Sequence, residues 1–228
     1  MFVSLAPSYH CNFNCPWCYL STEQLRNKDK IDLAVLDNKL GNLGHIEQVD
    51  IYGGEPGTLP PAYAKDMINI ICKHTDKINV ISNLSVIPDW YYLPEITSIG
   101  VSYDWDQREQ HNKVLTNMIL IQRSVAVLML ATEKLIKVDP CLIATTFNNI
   151  GNIQSLEIKP YSQNQFNSFD MNFRHYEEWI KRWINLDQTG FLKFQLQNTD
   201  ILERSVTKEY NAYSDNHLYI DPYGNYSV

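Results

Sequence analysis

The sequence lacks long hydrophobic runs. No apolar stretch approaches the roughly 18 residues that a membrane-spanning helix needs, so we expect no membrane span. The first residues also lack a basic leader followed by an apolar signal segment, which favours a cytoplasmic protein over an exported one.

Clusters of basic residues are absent as well. The 19 Lys and Arg residues are outnumbered by 26 Asp and Glu residues, which gives a net charge of −7, and no long basic block occurs. Because nucleic-acid phosphates are bound by clustered Lys and Arg, we expect no nucleic-acid partner. The acidic balance is better suited to a small molecule or a neutral-to-basic peptide.

Cysteine is scarce and unevenly placed. Only five cysteines occur, and three of them lie between residues 11 and 18. This crowding does not resemble a secreted disulfide framework and favours a reducing cytoplasm. Cys72 lies on an apolar helical stripe and is predicted to be a buried core thiol, whereas Cys141 has no cysteine neighbour and is predicted to be structural.

Short β-branched runs alternate with segments of helical periodicity. Such alternation needs crossover connections, which predict an α/β fold with a parallel sheet. Six repeats with the helices on one side predict a partial (β/α)6, TIM-like open barrel. The candidate strands are Phe2 to Leu5, Val49 to Tyr52, Ile78 to Ser82, Ile99 to Tyr103, Val125 to Leu130 and Leu156 to Lys159, and the candidate helices are Leu33 to Leu43, Ala64 to Cys72, Val114 to Ile121 and a weaker one from Thr132.

The C-terminal part is less regular. Residues 162–172 are predicted to be a polar loop, and an apolar stripe from Tyr176 to Ile184 predicts another helix. Two alternating runs after Phe191 predict loosely paired strands or a short C-terminal cap. The length of 228 residues fits one domain, with a barrel core over residues 1–161 and residues 162–228 packed on it.

The crowded cysteines Cys11, Cys15 and Cys18 lie in the predicted loop after the first strand. A cubane iron-sulfur cluster takes four ligands, so three thiolates leave one iron open to a ligand other than protein. Structural zinc with His10 as a fourth ligand is an alternative. Zinc would not explain the glycine-rich turn that follows the second strand.

That turn consists of Gly53, Gly54, Glu55 and Pro56. By itself it is equally typical of an ordinary strand-to-helix turn. Asn83 and Asp104 follow the third and fourth strands. Because the loops at the carboxyl ends of parallel barrel strands converge on one opening, all these residues are predicted to face the same mouth as the cysteines.

The cysteine spacing, with Trp17 before the third cysteine and the Gly53 to Pro56 run after the second strand, resembles the radical S-adenosylmethionine superfamily. The likeness continues through Ser82-Asn83 and Val101 to Asp104, and covers the chain from Phe2 to Tyr161. The run from Leu218 to Asn225 is similar to the start of the SPASM or twitch extensions of peptide-modifying members. The cysteines of those extensions are missing.

The resemblance implies one 4Fe-4S cluster held by Cys11, Cys15 and Cys18, with S-adenosylmethionine chelated at the fourth iron. An electron donor such as flavodoxin or ferredoxin would reduce the cluster, and cleavage of the sulfonium would give a 5′-deoxyadenosyl radical that removes a hydrogen atom from the substrate. The residues implied to contact S-adenosylmethionine are Trp17, Gly53, Gly54, Glu55, Pro56, Asn83, Ser102 and Asp104, with Lys159 and Tyr161 as weaker candidates.

Simpler interpretations remain for some of these residues. Asp104 is also placed to cap the helix after the fourth strand, and Lys159, before Pro160, is also typical of a solvated strand end.

The substrate is left open. The motif and the terminal run favour a peptide, while a small metabolite or nucleotide-like compound would fit a compact barrel with one cluster. An activase that installs a glycyl radical in a partner protein and a non-catalytic, cluster-binding regulatory module are further alternatives.

Overall fold

A computed structural model describes residues 1–160, 172–197, 199 and 216–227. Strands and helices alternate along most of the chain, as the hydrophobic patterning predicts. The strands are β1 (Phe2–Leu5), β2 (Gln48–Ile51), β3 (Ile78–Ser82), β4 (Ile96–Ser102), β5 (Val125–Ala131), β6 (Ile153–Pro160), β7 (Gln195–Leu196), β8 (His217–Ile220) and β9 (Tyr226–Ser227), and the helices are α1 (Thr22–Arg26), α2 (Leu33–Gly41), α3 (Pro61–Ile71), α4 (His111–Leu120), α5 (Pro140–Ile150) and α6 (Phe173–Gln188).

The contacts divide the chain into two compact units, and the first comprises Met1–Gly100 and Tyr213–Val228. Its strands, with β4 included up to Gly100, follow the order β4-β3-β2-β1-β8-β9. The pairs β1–β2, β2–β3 and β1–β8 are parallel, whereas β8 and β9 are antiparallel. The first strand of the chain therefore lies between β2 and a strand from the C-terminal segment.

Alternation along these strands separates an aliphatic face from a polar one. Val3 and Leu5 on β1 and Val49 and Ile51 on β2 are completely buried. The residues between them, such as Ser4 and Asp50, point to the opposite face, because successive side chains of a strand alternate. The buried residues of the helices of this unit form stripes of helical period, Leu36 and Leu40 on α2 and Ala64, Met67, Ile68 and Ile71 on α3.

The second unit comprises Val101–Ala212. Its strands β5, β6 and β7 are parallel neighbours. Helix α5 starts where Asp139 accepts a hydrogen bond from the Cys141 amide and Pro140 occupies the first helical position, and it ends at Gly151, which is left-handed with φ +83°. Helix α6 buries Tyr176, Trp179, Ile180 and Trp183, as its apolar stripe predicts.

The six predicted strands and the α/β class are confirmed. The structure corrects two other expectations. The helix predicted from Thr132 is replaced by a short 3-10 turn at Leu135–Lys137, and α5 begins only at Pro140, because Asp139 and Pro140 supply the start signals. Cys72 is exposed rather than buried, because α3 ends at Ile71 and Cys72 falls on its C-cap.

The sequence predicts loosely paired C-terminal strands or a short cap. In the structure, β8 instead pairs in register with β1, from Phe2↔His217 to Leu5↔Ile220. Most of the loop predicted at 162–172 lies outside the described residues, as does the predicted boundary at Tyr161. Among the helices that the structure describes, none is long and apolar enough to cross a membrane.

Candidate functional site at the cysteine loop

The loop from Cys11 to Cys18 is fixed at both ends. At its start, the Cys11 amide donates to the carbonyl of Leu25 in helix α1 at 3.0 Å. Helix α1 is itself held by a capping box in which the Ser21 hydroxyl and the Gln24 side chain each accept a hydrogen bond from the backbone of the other residue. Within and after the loop, Phe13 and Leu20 are buried and act as hydrophobic anchors. The three thiols are half-buried.

Backbone amides of the loop point at two of the sulfur atoms. Phe13 N–H donates to Cys11 Sγ and Leu20 N–H to Cys18 Sγ, both at 3.4 Å. The Asn83 amide nitrogen lies 3.9 Å from Cys11 Sγ. Hydrogen bonds to sulfur orient thiolate ligands and tune the potential of an iron-sulfur cluster. The loop therefore carries features expected of cluster-binding thiolates.

The protonation of Cys11 depends on what binds it. Burial raises the pKa of the Cys11 thiol to about 12, although the Phe13 amide opposes this shift. An unbound Cys11 thus keeps its proton at neutral pH. A bound metal cation favours the thiolate, because a coordinating thiol is deprotonated.

The arrangement differs from that of a structural zinc site. Zinc gathers four ligands around one ion. Across the part of the chain that the structure describes, no three His, Cys, Asp or Glu side chains are grouped closely enough to hold a single ion. In a cubane cluster each cysteine binds a different iron, so the thiols need not converge on one point. Three half-buried cysteines on one loop, with amide hydrogen bonds to the sulfurs of Cys11 and Cys18, are compatible with that second arrangement.

The glycines at the exit of β2 allow two backbone segments to touch. Gly54 N–H donates to Ser8 O at 3.0 Å and Glu55 N–H donates to His10 O at 2.7 Å. Gly53 has φ +117°, and a Cβ atom on it would lie 2.7 Å from the Ala6 Cβ. A Cβ atom on Gly54 would collide with the carbonyl oxygens of Tyr9 and His10. The Gly53-Gly54 pair thereby presses against the residues that lead into Cys11.

Glu55 joins the exits of β2 and β3. Its side chain is 3% exposed. One carboxylate oxygen accepts hydrogen bonds from Gly57 N–H at 2.8 Å and the Ser82 hydroxyl at 2.6 Å, and the other accepts from Asn83 N–H at 2.6 Å. Burial raises the pKa of Glu55, while these donors favour the ionised form. All three of these donors lie in the first unit, so the Glu55 carboxylate links the exits of β2 and β3 there.

Asn83 links β3 to the cysteine loop. Its amide nitrogen donates to Asn12 Oδ1 at 3.0 Å, and its oxygen accepts from Ser85 N–H at 2.9 Å. The Asn12 amide returns to the Ser85 hydroxyl at 2.7 Å. Leu84, between them, has a left-handed backbone with φ 53°. These contacts hold the predicted residue Asn83 beside Cys11.

The first unit therefore brings together Cys11 and its loop, the Gly53 to Pro56 turn and Asn83, and Trp17 lies on the same loop. Contacts of Trp17, Gly53, Gly54, Glu55, Pro56 and Asn83 with S-adenosylmethionine stay predictions. Asn12, Ser85 and Tyr91, whose hydroxyl lies 3.3 Å from Glu55 Oε1, were missed from the sequence. Asn12 lies inside the motif, so its position was a usable signal, whereas Tyr91 reaches the site only through tertiary folding.

The candidates Ser102, Asp104 and Lys159 belong to the second unit. Asp104 is completely buried, and its carboxylate accepts from Leu130 N–H at 2.6 Å and from Arg108 Nε at 2.5 Å. It precedes a 3-10 turn, but its side chain makes no capping hydrogen bond there. Ser102 is half-buried at the end of β4.

Lys159 is exposed near the end of β6, with Nζ 3.7 Å from Glu157 Oε1, as expected of a solvated strand end. Tyr161 lies outside the described residues. Cofactor contacts of all four candidates, Ser102, Asp104, Lys159 and Tyr161, stay predictions.

Several tyrosines flank the cysteine loop and the Gly53 to Pro56 turn, and they were not among the site residues predicted from the sequence. Tyr9 and Tyr19 bracket the cysteines, and Tyr52 precedes Gly53. The Tyr219 hydroxyl on β8 donates to the Tyr9 hydroxyl at 3.2 Å, and the rings of Tyr52 and Tyr219 lie 5.8 Å apart. Burial is the main cause that raises the pKa of each of these phenols, for Tyr52 to about 12. They are therefore neutral at physiological pH.

Comparison with solved structures identifies the fold. The anSMEcpe protein with bound AdoMet superposes with a TM-score of 0.73 and 12% sequence identity, over 99% of this chain and 73% of that chain. SuiB of Streptococcus suis, bound to its precursor peptide SuiA, gives 0.66 and 12% over 99% of this chain and 58% of SuiB. Both are radical S-adenosylmethionine enzymes. The chain has the radical S-adenosylmethionine fold.

Other comparisons define the limits of this likeness. HydG, a maturase of the FeFe-hydrogenase, shares the fold with a TM-score of 0.61 and 14% identity, over 78% of this chain and 48% of HydG. No family model and no curated protein sequence matches the chain. The radical S-adenosylmethionine fold confirms the predicted TIM-like partial barrel. At these identities the comparison establishes the fold alone.

Proposed function

We propose that the protein is a radical S-adenosylmethionine enzyme. Cys11, Cys15 and Cys18 would hold one 4Fe-4S cluster, and S-adenosylmethionine would complete it at the fourth iron. The observation that carries this proposal is the direct hydrogen bonding of Gly54 and Glu55 to the residues that lead into Cys11. Two motifs about 40 residues apart in the chain thus form one local structure.

When bound and reduced, the cluster would supply the electron that cleaves S-adenosylmethionine to methionine and a 5′-deoxyadenosyl radical, which would take a hydrogen atom from the substrate. The chain's own residues orient this site. The amides of Phe13 and Leu20 donate to the sulfurs of Cys11 and Cys18. The buried carboxylate of Glu55 fixes the turn and the backbone of Asn83. Preorganisation of this kind limits movement of a reactive group.

The proposed substrate is a peptide. SuiB has been crystallised with its precursor peptide SuiA, and anSMEcpe with AdoMet and the Cp18Cys peptide. The net charge of −7 supports a neutral-to-basic peptide here. The electron donor is proposed to be a flavodoxin or ferredoxin, and the location a reducing cytoplasm.

Formation of 5′-deoxyadenosine tests the proposal. The protein is reconstituted anaerobically with iron and sulfide, reduced with dithionite and incubated with S-adenosylmethionine. We expect deoxyadenosine by mass spectrometry, and its absence from protein with a full cluster would instead identify a non-catalytic cluster-binding module.

A pair of cysteine variants tests the ligand assignment. Cys15→Ala should lose most of the iron and all deoxyadenosine formation, because one cluster ligand is removed. Cys141→Ala is the matched control, since Cys141 is exposed in the second unit. A Cys15→Ala protein with an unchanged cluster spectrum would remove Cys15 from the ligand set.

A further inference from the structure

The register of the first-unit sheet places polar side chains in a row. Ser4 is the partner of Asp50 on β2, and Asp50 is the partner of Asn79 on β3. The Ser98 hydroxyl on β4 donates to Asn79 Oδ1 at 2.7 Å. We call Ser4, Asp50, Asn79 and Ser98 the polar row. It lies opposite the buried aliphatic face, because Val49 and Ile51 on either side of Asp50 are fully buried.

Asp50 is the acidic member of the polar row, and only one of its two carboxylate oxygens accepts hydrogen bonds from the residues that the structure describes. Asp50 Oδ1 accepts hydrogen bonds from Gln48 Nε2 at 2.7 Å and from Asn79 Nδ2 at 2.9 Å. Within residues 1–160, 172–197 and 216–227, no cation lies within ion-pair distance of this half-buried carboxylate, and Oδ2 accepts no hydrogen bond. Two amide donors thus fix the carboxylate, while its second oxygen is left to an incoming donor.

Two tyrosines lie on the same face of the sheet as this carboxylate, Tyr52 just after β2 and Tyr219 two strands away on β8. Tyr219 is the register partner of Ser4, and Tyr52 follows Asp50 by two residues. Their rings lie 5.8 Å apart, and the charge of Asp50 is close enough to contribute to the raised pKa of Tyr52. Neutral tyrosine rings attract cations through their faces. A carboxylate beside aromatic rings favours a cationic group over a neutral one.

We propose that Asp50, with Tyr52 and Tyr219, forms a subsite for a lysine or arginine side chain of the substrate. This inference rests on the proposed function, since it names the kind of peptide that the same site takes. Tyr52 directly precedes Gly53, so the subsite is continuous with the turn that contacts the cysteine loop. A half-buried carboxylate with no cation of its own gains most from a charged ligand, because the attraction between two charges grows as the dielectric around them falls.

Short peptides test the subsite without knowledge of the natural substrate. Acetylated and amidated Gly-Gly-X-Gly-Gly peptides, with X as lysine, arginine, norleucine or glutamate, are titrated by NMR into cluster-reconstituted protein that contains S-adenosylmethionine. Lysine and arginine peptides should bind about tenfold more tightly than the norleucine peptide, which corresponds to ~1.4 kcal/mol. Equal binding of the lysine and norleucine peptides would overturn the proposal.

The Asp50→Asn variant tests whether Asp50 causes the preference for lysine and arginine peptides over the norleucine peptide. Asparagine retains an oxygen that can accept from Gln48 and Asn79, but it places an amide where Oδ2 was. The preference for lysine should disappear in Asp50→Asn and persist in Asp66→Asn, which removes an exposed carboxylate on α3 of the same unit. A preference retained in Asp50→Asn, or a loss of S-adenosylmethionine binding without a change in peptide preference, contradicts the assignment.

Two further measurements keep the outcome clear. If Asp50→Asn does not fold, the native protein still decides, because a charge-based preference must shrink between low salt and about 1 M salt, where screening acts over about 3 Å. An unchanged preference would overturn the subsite. Formation of deoxyadenosine without peptide is measured separately, so failure of the radical chemistry is distinguished from failure of the lysine preference.

Discussion

Two adjacent residues, Gly54 and Glu55, do different work at the candidate site. Gly54 is defined by the space that it leaves, since its missing side chain admits the carbonyls of Tyr9 and His10. Glu55 is defined by the donors that it collects from Gly57, Ser82 and Asn83. Gly54 thus lets the turn after β2 lie close to the residues that lead into Cys11, and Glu55 holds that turn against the end of β3.

Gly54→Ala should separate the two loops. The added Cβ would collide with two carbonyl oxygens and overpack the contact, at a cost of about 1–3 kcal/mol in the free energy of unfolding. Iron content after reconstitution should fall as well, because the cysteine loop loses its support. Urea unfolding and iron analysis measure both effects. Gly44→Ala is the control, since nothing lies within 4 Å of a Cβ there, and equal behaviour of the two variants would contradict the contact.

Glu55→Gln should destabilise the first unit by about 2–4 kcal/mol, because an amide group would face the N–H donors that the buried carboxylate now satisfies. Chemical denaturation measures the loss. The exposed variant Asp66→Asn should stay close to the wild type. A Glu55→Gln protein as stable as Asp66→Asn would show that the carboxylate charge is not needed there.

At the residue scale, the sequence identified candidate residues better than it predicted their tertiary contacts. The cysteines, the glycines and Asn83 were found from spacing and from strand exits, because these are local properties. The internal hydrogen bonds of Glu55 were not, since two of their donors, Ser82 and Asn83, lie at the end of β3 rather than of β2. The exposure of Cys72 depended on one residue at a helix end, where periodicity is least informative.

Helix α5 begins at the start signals Asp139 and Pro140, although the sequence pattern predicted a helix from Thr132. Asp139 caps it through the Cys141 amide at 2.8 Å and also pairs with Arg182 of α6 at 2.5 Å. The pKa of Asp139 is lowered, first by the Cys141 amide and then by Arg182. One exposed carboxylate thus serves two helices of the second unit.

Asp139→Asn tests the charge alone, because asparagine is also a good N-cap. A lowered folded-state pKa means that the carboxylate stabilises the protein fully above its unfolded pKa of about 3.9, and that this stabilisation is lost progressively as the pH falls through the lower folded-state pKa. The wild type should therefore exceed Asp139→Asn in stability at pH 7 by less than about 1 kcal/mol, since the pair is exposed. Urea unfolding between pH 3 and pH 7 should show the difference vanish at low pH, and a growing difference would contradict it.

At the element scale, patterning predicted β1 to β6 and the helices with wide apolar stripes, because burial of one face dictates their periodicity. Strand ends were less certain. β4 begins at Ile96 and β6 at Ile153, each three residues before the predicted start. The polar positions Thr97 and Gln154 interrupt both runs, although they alternate with buried neighbours in the sheet.

At the scale of the whole molecule, the pairing of strands that are distant in the sequence was the hardest feature to predict. The α/β barrel class followed from the order of strands and helices, but the pairing of β8 with β1 did not. Nothing near His217 to Ile220 indicates a partner more than 200 residues away, since parallel pairing depends on the fold and not on local propensity.

Ile220→Ala tests that pairing. Ile220 is completely buried, so its truncation should lower the free energy of unfolding by about 2–5 kcal/mol. The Phe2 and Ala6 amides donate to carbonyls of Asn216 and Ile220, and they should exchange with deuterium faster. Leu120→Ala on α4 is the control, because that side chain is 60% exposed. Unchanged protection of Phe2 and Ala6 would argue against the pairing.

The position of β8 also sets an order of events during synthesis. β1 leaves the ribosome first, yet one of its neighbours in the sheet is made only after the whole second unit. Contacts between such distant residues slow folding, because a long chain must close before they form. Until then the edge of β1 has no strand beside it, next to the loop that carries the cysteines. Loading of a metal cofactor before β8 is made would meet a sheet that is still incomplete, so maturation should be most efficient once β8 has been made and has paired with β1.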